Sequence, residues 1–291
     1  MNEPIDVLLS VTKLRPDERL LLDTLRARGL RAATALPADI GDVLNGSTPA
    51  PSAAVIRNLS HHEAAGIAHR LELAGVTTVN RGPAIDLCQD KGKQALLFAR
   101  HGIPHPRSFH AFNHNQVGDL TRQIGWPVVV KPLSSSWGRG VVRLSNEDCL
   151  AAWTGGCEST DVAGKMFPVL VQEHVDKPDH DLRVVVVGTE PVVAIMRKST
   201  DWRTNTHLGA VVERVEITSR IAQLCAQVVE VLGAGFYGID LIEDGGSGEL
   251  KVLEVNANPE FARSSAEHKV DIAAHLATYL LEQVLTSVAV P

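Results

Sequence analysis

Three oxygen-bearing side chains lie on two successive strand-like segments near the C-terminus. Successive side chains of a strand point to opposite faces of a sheet. In the strand-like segment 237–243, Asp240 therefore points to one face, and Glu254 and Asn256 share a face of the segment that begins at residue 249. Adjacent strands would bring the three together as hard oxygen ligands, a set that suits Mg²⁺ completed by nucleotide phosphates. The alternative is a solvated sheet face, because isolated acidic residues are mostly exposed.

A lysine ends the apolar segment 127–131, and a loop rich in serine and glycine follows it at 134–140. Burying the Lys131 ammonium costs free energy unless an anion meets it. The small loop residues allow backbone N–H groups to approach phosphate oxygens closely. The loop lacks the GxxxxGK[ST] order of a P-loop. The pattern indicates a nucleotide-phosphate site, with a flexible connector as the alternative.

Charged side chains also mark the strands before the metal-ligand candidates. Asp181 and Arg183 are two apart on one strand and therefore point to the same side. Arg197 ends the following strand, and its planar fork suits phosphate or carboxylate recognition. The alternative is a structural Asp–Arg pair.

The elements that would position these residues fall into three groups. Residues 1–80 alternate short strands with amphipathic helices, which predicts a small, mostly parallel α/β unit. Residues 90–145 predict a compact α+β unit that begins with a helix at 90–101. The rest predicts an antiparallel series of strands, at 169–175, 182–187, 191–197, 237–243 and 249–255, with an apolar-striped helix between them and a final helix after them.

Composition restricts the function classes. The 291 residues are 44% hydrophobic and 21% charged, as in ordinary globular proteins, and the net charge of −6 argues against nucleic acid as the main ligand. No apolar run is long enough to cross a membrane. The four cysteines have neither CxxC pairing nor nearby histidines, which predicts free thiols in a reducing cytoplasm.

Taken together and in this order, the motifs resemble the ATP-grasp superfamily, and within it the RimK-like branch. The residues that carry the resemblance are Lys91, Lys131, Gln172, Glu173, Asp181, Arg183, Arg197, Asp240, Glu254 and Asn256. The resemblance covers the whole chain. It implies an ATP-grasp fold of α/β and α+β parts, with an N-terminal domain at 1–88 and two subdomains, at 89–168 and 169–291, that clamp ATP.

Further segments are similar to the LysX-type ligases of amino-carrier-protein lysine biosynthesis. They are residues 14–22, 136–139 and 201–205, and the pair Glu260-Phe261 that follows Asn256. Such ligases join α-aminoadipate, or glutamate in relatives, to the C-terminal glutamate of a small acidic carrier protein. One departure concerns Leu208, which stands where the related pattern has an arginine, so we expect a shifted amino-acid preference.

The resemblance also implies roles for individual residues. Metal binding falls to Asp240, Glu254 and Asn256, with a pair of Mg²⁺ ions expected and Mn²⁺ as a substitute. Catalysis falls to Arg197, Arg183 and Lys131. ATP contacts fall to Lys91, Lys131, Ser135, Ser136, Trp137, Gly138, Gln172, Glu173, His174, Val175, Asp181 and Asn205. Substrate contacts fall to Arg15, Arg203, Asn258, Glu260 and Phe261.

The expected function is therefore ATP-dependent amide formation through an acyl phosphate, by a cytoplasmic enzyme that forms homo-oligomers. Its partners would be a small amino acid and an acidic amino-carrier protein, with no nucleic acid and no membrane. A RimK-type glutamate ligase acting on another protein or a small molecule is the nearest alternative. A phosphotransferase that stops after phosphorylation is another, and a regulatory protein that binds nucleotide without turnover is the last.

Overall fold

The computed structural model describes residues 5–135, 138–159, 166–202, 204 and 211–288. Strands within these ranges form three sheets, two with four strands and one with five. The ATP-binding residues expected from the sequence fall mainly on the second and third sheets, and the first sheet packs beside the third.

The first sheet is parallel, as predicted for the N-terminal region. Its strands are β1 (Val7–Val11), β2 (Ala32–Ala35), β3 (Ala53–Arg57) and β4 (Thr77–Val79), in the order β2-β1-β3-β4. The accompanying helices are α1 (Pro16–Ala27), α2 (Pro37–Leu44), α3 (His61–Leu73) and α4 (Gly82–Cys88). The sequence analysis does not predict β2, α2 or α4, because short alanine-rich or proline-initiated segments carry little periodicity.

The second sheet is antiparallel and has the order β5-β8-β6-β7. Its strands are β5 (Ser108–Ala111), β6 (Val128–Pro132), β7 (Val142–Leu144) and β8 (Val169–Glu173), and its helices are α5 (Lys91–His101), α6 (His114–Ile124) and α7 (Glu147–Ser159). The sequence analysis groups β8 with the C-terminal strands, and this grouping is wrong. The mainly apolar sequence of β8 does not reveal the neighbours of this strand, which pairs with β5 and β6. The subdivision at residues 88 and 168 stays a prediction.

The third sheet confirms the predicted antiparallel C-terminal arrangement, in the order β11-β10-β9-β12-β13. Its strands are β9 (His180–Gly188), β10 (Glu190–Lys198), β11 (Val211–Val215), β12 (Gly235–Glu243) and β13 (Leu250–Asn256). Helices α8 (Ser219–Leu232), α9 (Ala262–His268) and α10 (Ile272–Val288) complete the chain. The predicted apolar stripe of α8 is buried, including Ile221 and Val228. The strand β13 that carries Glu254 and Asn256 lies at the edge of this sheet.

One hydrophobic core joins the first and third sheets. Leu9 and Leu25 from the N-terminal region belong to the same buried cluster as Val187, Phe236 and Leu276. None of the four cysteines, which all lie within the described residues, forms a disulfide bond. No helix in the described part of the chain combines the length and apolarity that crossing a bilayer requires.

Candidate active site

A cavity of about 650 Å³ lies between the second and third sheets. The second sheet and its loops contribute Lys131 and the segment from Gln172 to Val175, while the third sheet contributes Asp181, Arg197, Asp240 and Glu254. Residues predicted separately from six strands therefore line one space. Its size is within the range of small-molecule sites.

Lys131 is buried in the wall of this cavity, at 6% exposure. Burial lowers the pKa of its ammonium to about 8, although the Glu254 carboxylate favours the charged form. Nearby, the buried Ser135 hydroxyl has no hydrogen-bond partner within the described structure. A buried lysine beside an unused hydroxyl donor fits the oxygen atoms of a nucleotide phosphate.

Lys91 is the first residue of α5, and the sequence explains its position. The Asp90 side chain caps the helix by accepting hydrogen bonds from the backbone N–H groups of Gly92 and Lys93. The Lys91 Nζ donates to the Ser135 carbonyl oxygen at 2.7 Å and lies 3.3 Å from Glu254 Oε2. The two lysines expected to bind ATP therefore approach the same carboxylate.

The three predicted metal ligands are neighbours on β12 and β13. Asp240 pairs with Glu254 and Gly238 pairs with Asn256 in the antiparallel register. The Asn256 Nδ2 lies 3.5 Å from Glu254 Oε1. Asn256 also lines a separate small cavity, of about 40 Å³, with Asn258.

Both carboxylates predicted to bind metal, Asp240 and Glu254, favour the ionised form. Burial raises the pKa of Asp240, but the Arg183 and Arg197 guanidinium groups outweigh it and hold that pKa below its usual range. Burial and Asp240 likewise raise the pKa of Glu254, whereas Lys91 and Lys131 lower it, with a net decrease. Two ionised carboxylates with an amide oxygen nearby form a donor set that fits Mg²⁺.

Arginine–aspartate pairs organise the third-sheet side of the cavity. Arg197 donates to both oxygens of Asp181, at 2.6 and 2.9 Å, and its Nη2 lies 3.3 Å from Asp240 Oδ1. Arg183 also binds both oxygens of Asp240, with 2.8 Å from Nη2 to Oδ2. Asp240 and Asp181 raise the pKa of Arg197 despite its burial, so this cation is permanently charged. The structural Asp–Arg pairing considered for the sequence is therefore present within the cavity wall.

The sequence analysis missed Lys177, which lines the same cavity. Its Nζ donates to the Thr204 hydroxyl at 3.1 Å, and that hydroxyl donates to Asp181. Burial lowers the pKa of Lys177, and the Asp181 carboxylate opposes this decrease. Its place two residues after Val175, in the link to the Asp181 strand, is the signal that could have identified it.

Aromatic and apolar side chains form part of the cavity lining. The His174 and Trp202 rings are 6.0 Å apart, and Val175 is buried beside them. The Glu173 carboxylate pairs with Lys251 at 3.3 Å, while the Gln172 amide donates to Ser108 Oγ at 2.8 Å. Gly138 also lines the cavity.

The expected substrate residues are distributed differently. Arg15 pairs with Glu18 at 2.7 Å and with Glu260 at 3.5 Å. The Asn258 Nδ2 donates to the Asn58 carbonyl oxygen at 3.0 Å. Phe261 is fully buried in the hydrophobic core, so its side chain serves packing rather than contact with a ligand in the cavity. The predicted contacts Ser136, Trp137, Arg203 and Asn205, and the departure at Leu208, lie outside the described residues.

Comparison with known proteins assigns this arrangement to a family. Residues 88–280 match the model of the RimK-like ATP-grasp domain. The chain belongs to the RimK-like ATP-grasp family. It is therefore an ATP-dependent ligase, and it uses ATP and Mg²⁺ as ATP-grasp ligases do.

Relatives of this RimK-like ATP-grasp protein include carrier-protein ligases. It is 34% identical over 222 residues to the alpha-aminoadipate–LysW ligase LysX of Saccharolobus solfataricus, covering 76% of this chain and 80% of the relative. It is 28% identical over 278 residues to the glutamate–LysW ligase ArgX of Sulfolobus acidocaldarius, covering 94% and 97%. A RimK domain ATP-grasp protein from Sphaerobacter thermophilus aligns with a TM-score of 0.73 and 26% identity, over 94% of this chain and 99% of that one.

Proposed function

We propose that this protein joins the amino group of an amino acid to the C-terminal glutamate of an amino-carrier protein. The amino acid is α-aminoadipate, glutamate or a close relative. The observation that carries the proposal is the 34% identity to an alpha-aminoadipate–LysW ligase, together with a cavity whose lining includes Lys91, Lys131 and the ionised Asp240 and Glu254.

In the proposed reaction, a carboxylate oxygen of the acceptor attacks the γ-phosphorus of ATP and releases ADP. The amino group then attacks the acyl phosphate, so that a C–N bond forms, phosphate leaves and the amine loses a proton.

Lys91, Lys131 and Ser135 bind the phosphates. Val175 and the His174–Trp202 pair enclose the base, while Gln172 and Glu173 contact the base and ribose. Arg197, held by Asp181, and Arg183 stabilise the oxygen-rich reacting groups.

Asp240, Glu254 and Asn256 are the residues that would hold Mg²⁺, and we propose a pair of ions. When bound there, Mg²⁺ offsets the negative charge of the nucleotide phosphates. The protein's own contribution is to keep both carboxylates ionised and to hold Glu254 3.3 Å from Lys91. The arginine pairs on Asp240 also fix the orientation of that carboxylate before a ligand arrives.

The arginines of the chain support the choice of acidic partners. Arg15, Arg183, Arg197, Arg203 and Arg263 suit an amino acid with its own carboxylate and an acidic carrier. An acidic partner would be steered by a local basic face, so its association should weaken as salt rises. We further propose that the enzyme forms homo-oligomers and that Leu208 shifts its preference away from α-aminoadipate.

A glutamate ligase acting on the same carrier is the second candidate, because the chain is 28% identical to a glutamate–LysW ligase over nearly its whole length. The two candidates share the chemistry and differ only in the incoming amino acid. A small-molecule acceptor, instead of a carrier protein, is an outcome that the experiment must be able to detect.

The test incubates the enzyme with ATP, Mg²⁺, a purified amino-carrier protein and one amino acid at a time. The carrier mass should increase by one amino-acid residue, with one ADP released for each, and a carrier without its C-terminal glutamate should stay unchanged. The amino acid that gives the increase separates the two candidates. A carrier whose mass never increases, while another acceptor is ligated, would eliminate the carrier proposal and leave the ligase assignment intact.

A further inference from the structure

A buried glutamine binds the backbone between the proposed metal ligands. Val255 lies between Glu254 and Asn256 on β13, the edge strand of the third sheet. Its N–H donates to Gln94 Oε1 at 2.7 Å, and its carbonyl oxygen accepts a hydrogen bond from Gln94 Nε2 at 3.1 Å. On the side away from β12, one side-chain amide therefore takes the place of a neighbouring strand.

Both N–H donors of the Gln94 amide are used in this arrangement. Its Nε2 also donates to the Cys88 carbonyl oxygen at 3.0 Å, and the residue is 2% exposed. Pairing with both an N–H and a carbonyl requires a donor and an acceptor on one side chain, which a primary amide provides. A carboxylate of the same size lacks the donor, and methionine lacks the donor and offers only a weak sulfur acceptor.

The same helix also carries a proposed phosphate ligand. Lys91 precedes Gln94 by one turn of α5, and its Nζ lies 3.3 Å from Glu254 Oε2. Helix α5 therefore contacts β13 at two points. Lys91 contacts the Glu254 side chain, and Gln94 contacts the backbone of Val255. This double contact fixes the distance between the phosphate-binding cation and the metal ligands.

Residues of the N-terminal region also form hydrogen bonds with the segment that follows Asn256. Asn80 Nδ2 donates to the Ala257 carbonyl oxygen at 2.8 Å. Asp17 Oδ1 accepts hydrogen bonds from the N–H groups of Phe261 and Ala262, both at 2.6 Å. The strand end that carries the metal ligands is thus positioned from α5 and from the N-terminal region.

We propose that Gln94 is a positioning residue for Glu254 and Asn256, setting the geometry in which they bind Mg²⁺. This inference rests on the metal site of the proposed function. Partners that orient metal ligands without touching the metal are typically worth 10- to 100-fold in metal affinity. Gln94 would act through the backbone of Val255 rather than by contact with ATP.

The experiment measures ADP binding by calorimetry as a function of Mg²⁺ concentration. Gln94→Met should raise the Mg²⁺ concentration for half-maximal tightening of ADP binding about tenfold. ADP affinity without Mg²⁺ should change less than about twofold, because no phosphate or base contact is removed. Gln94→Asn, which keeps the amide on a shorter stem, should fall between wild type and Gln94→Met. The matched control is Gln123→Met, an exposed position on α6.

Two results would overturn the inference. A folded Gln94→Met protein with the wild-type Mg²⁺ dependence of ADP binding would exclude a positioning role for Gln94. An equal loss of ADP affinity with and without Mg²⁺ would also exclude it, because such a loss indicates that the whole nucleotide site is disturbed. If Gln94→Met does not fold, Gln94→Asn is judged by the same criteria. A wild-type protein whose ADP affinity ignores Mg²⁺ would instead overturn the metal site itself, and this role with it.

Discussion

At the scale of single residues, the cavity balances buried charges of both signs. Lys131 is buried with a lowered pKa, while Asp240 and Glu254 are kept ionised by the cations around them. A bound nucleotide would supply a further anion beside Lys131, in addition to Glu254. The free energy lost by burying this ammonium is therefore regained when phosphate arrives.

The first prediction concerns the pH dependence of nucleotide binding. Burial lowers the pKa of Lys131 from 10.5 to about 8, so the free protein carries this charge below pH 8 and loses it above. ADP affinity should therefore fall about tenfold per pH unit above pH 8, because binding must first restore the proton. The affinity of Lys131→Arg should stay flat from pH 7 to 9.5, since arginine remains charged. An equal decline in both proteins would contradict the role of Lys131.

The same shift has a consequence for stability. Between about pH 8 and 10.5 the unfolded chain binds the Lys131 proton more tightly than the folded protein, so stability without nucleotide rises with pH in that interval. Below pH 8 both states are protonated and the full cost of about 3 kcal/mol is present.

The second prediction tests the metal site. Glu254→Gln keeps the shape of the side chain but removes the charge, so ADP formation should fall about 100-fold or more at ordinary Mg²⁺ concentration. Circular dichroism should show an intact fold. Asp240→Asn should have a similar effect on ADP formation. The control is Glu249→Gln, an exposed residue just before β13, which should keep wild-type rates. Near-normal turnover in Glu254→Gln would remove this residue from the metal ligands.

At the scale of elements, turns and strand ends set the shape of the cavity. The turn between β12 and β13 contacts the segment after β8, where Gly245 N–H donates to the Asp176 carbonyl oxygen at 2.7 Å. Asp176 lines the cavity. A turn outside the cavity wall therefore supports the segment that follows the residues predicted to contact ATP.

The third prediction uses this close approach. A Cβ atom on Gly245 would lie 2.7 Å from the Asp176 carbonyl oxygen, whereas one on Gly246 would come no nearer than 3.4 Å to any group. Gly245→Ala should therefore lower the free energy of unfolding by about 1–3 kcal/mol and weaken ADP binding, because the backbone must move. Gly246→Ala should change both little. Urea denaturation and calorimetry measure the two effects, and equal stability of the variants would show that the turn relaxes freely.

Elements with clear periodicity could be predicted from the sequence, but their neighbours could not. Alternation placed Asp240, Glu254 and Asn256 on strand faces, and the observed register makes Asp240 and Glu254 partners. The pairing of β8 with the second sheet depends on long-range packing, which its apolar sequence does not encode locally. Gln94 was missed for a similar reason: its partner Val255 is 161 residues away in sequence.

At the scale of the whole molecule, the contacts of the buried Arg57 and a shared core connect the N-terminal region to the third sheet. Arg57 is 1% exposed, and its Nε donates to Glu18 Oε1 at 2.9 Å. Its Nη1 donates to the Pro259 carbonyl oxygen at 3.0 Å, and its guanidinium lies 5.7 and 5.5 Å from the ring centres of Phe236 and Phe261. One side chain thus touches β12 and the segment beyond β13. Separation of these regions would expose both the charge and the shared apolar cluster.

The fourth prediction compares this buried pair with an exposed one. Arg57→Met should lower the free energy of unfolding by about 3 kcal/mol, near the low end for a broken buried pair, because Arg15 still binds Glu18. Arg31→Met, which removes a largely exposed pair with Asp6, should cost at most about 1 kcal/mol. Urea denaturation followed by tryptophan fluorescence and by circular dichroism measures both. The two probes should give one coincident transition in the wild type, since the shared core makes the regions unfold together. Separate transitions in the wild type would show that the shared core does not couple the N-terminal region to the third sheet. Equal losses of unfolding free energy for the two variants would show that the buried contacts of Arg57 contribute no more than an exposed ion pair.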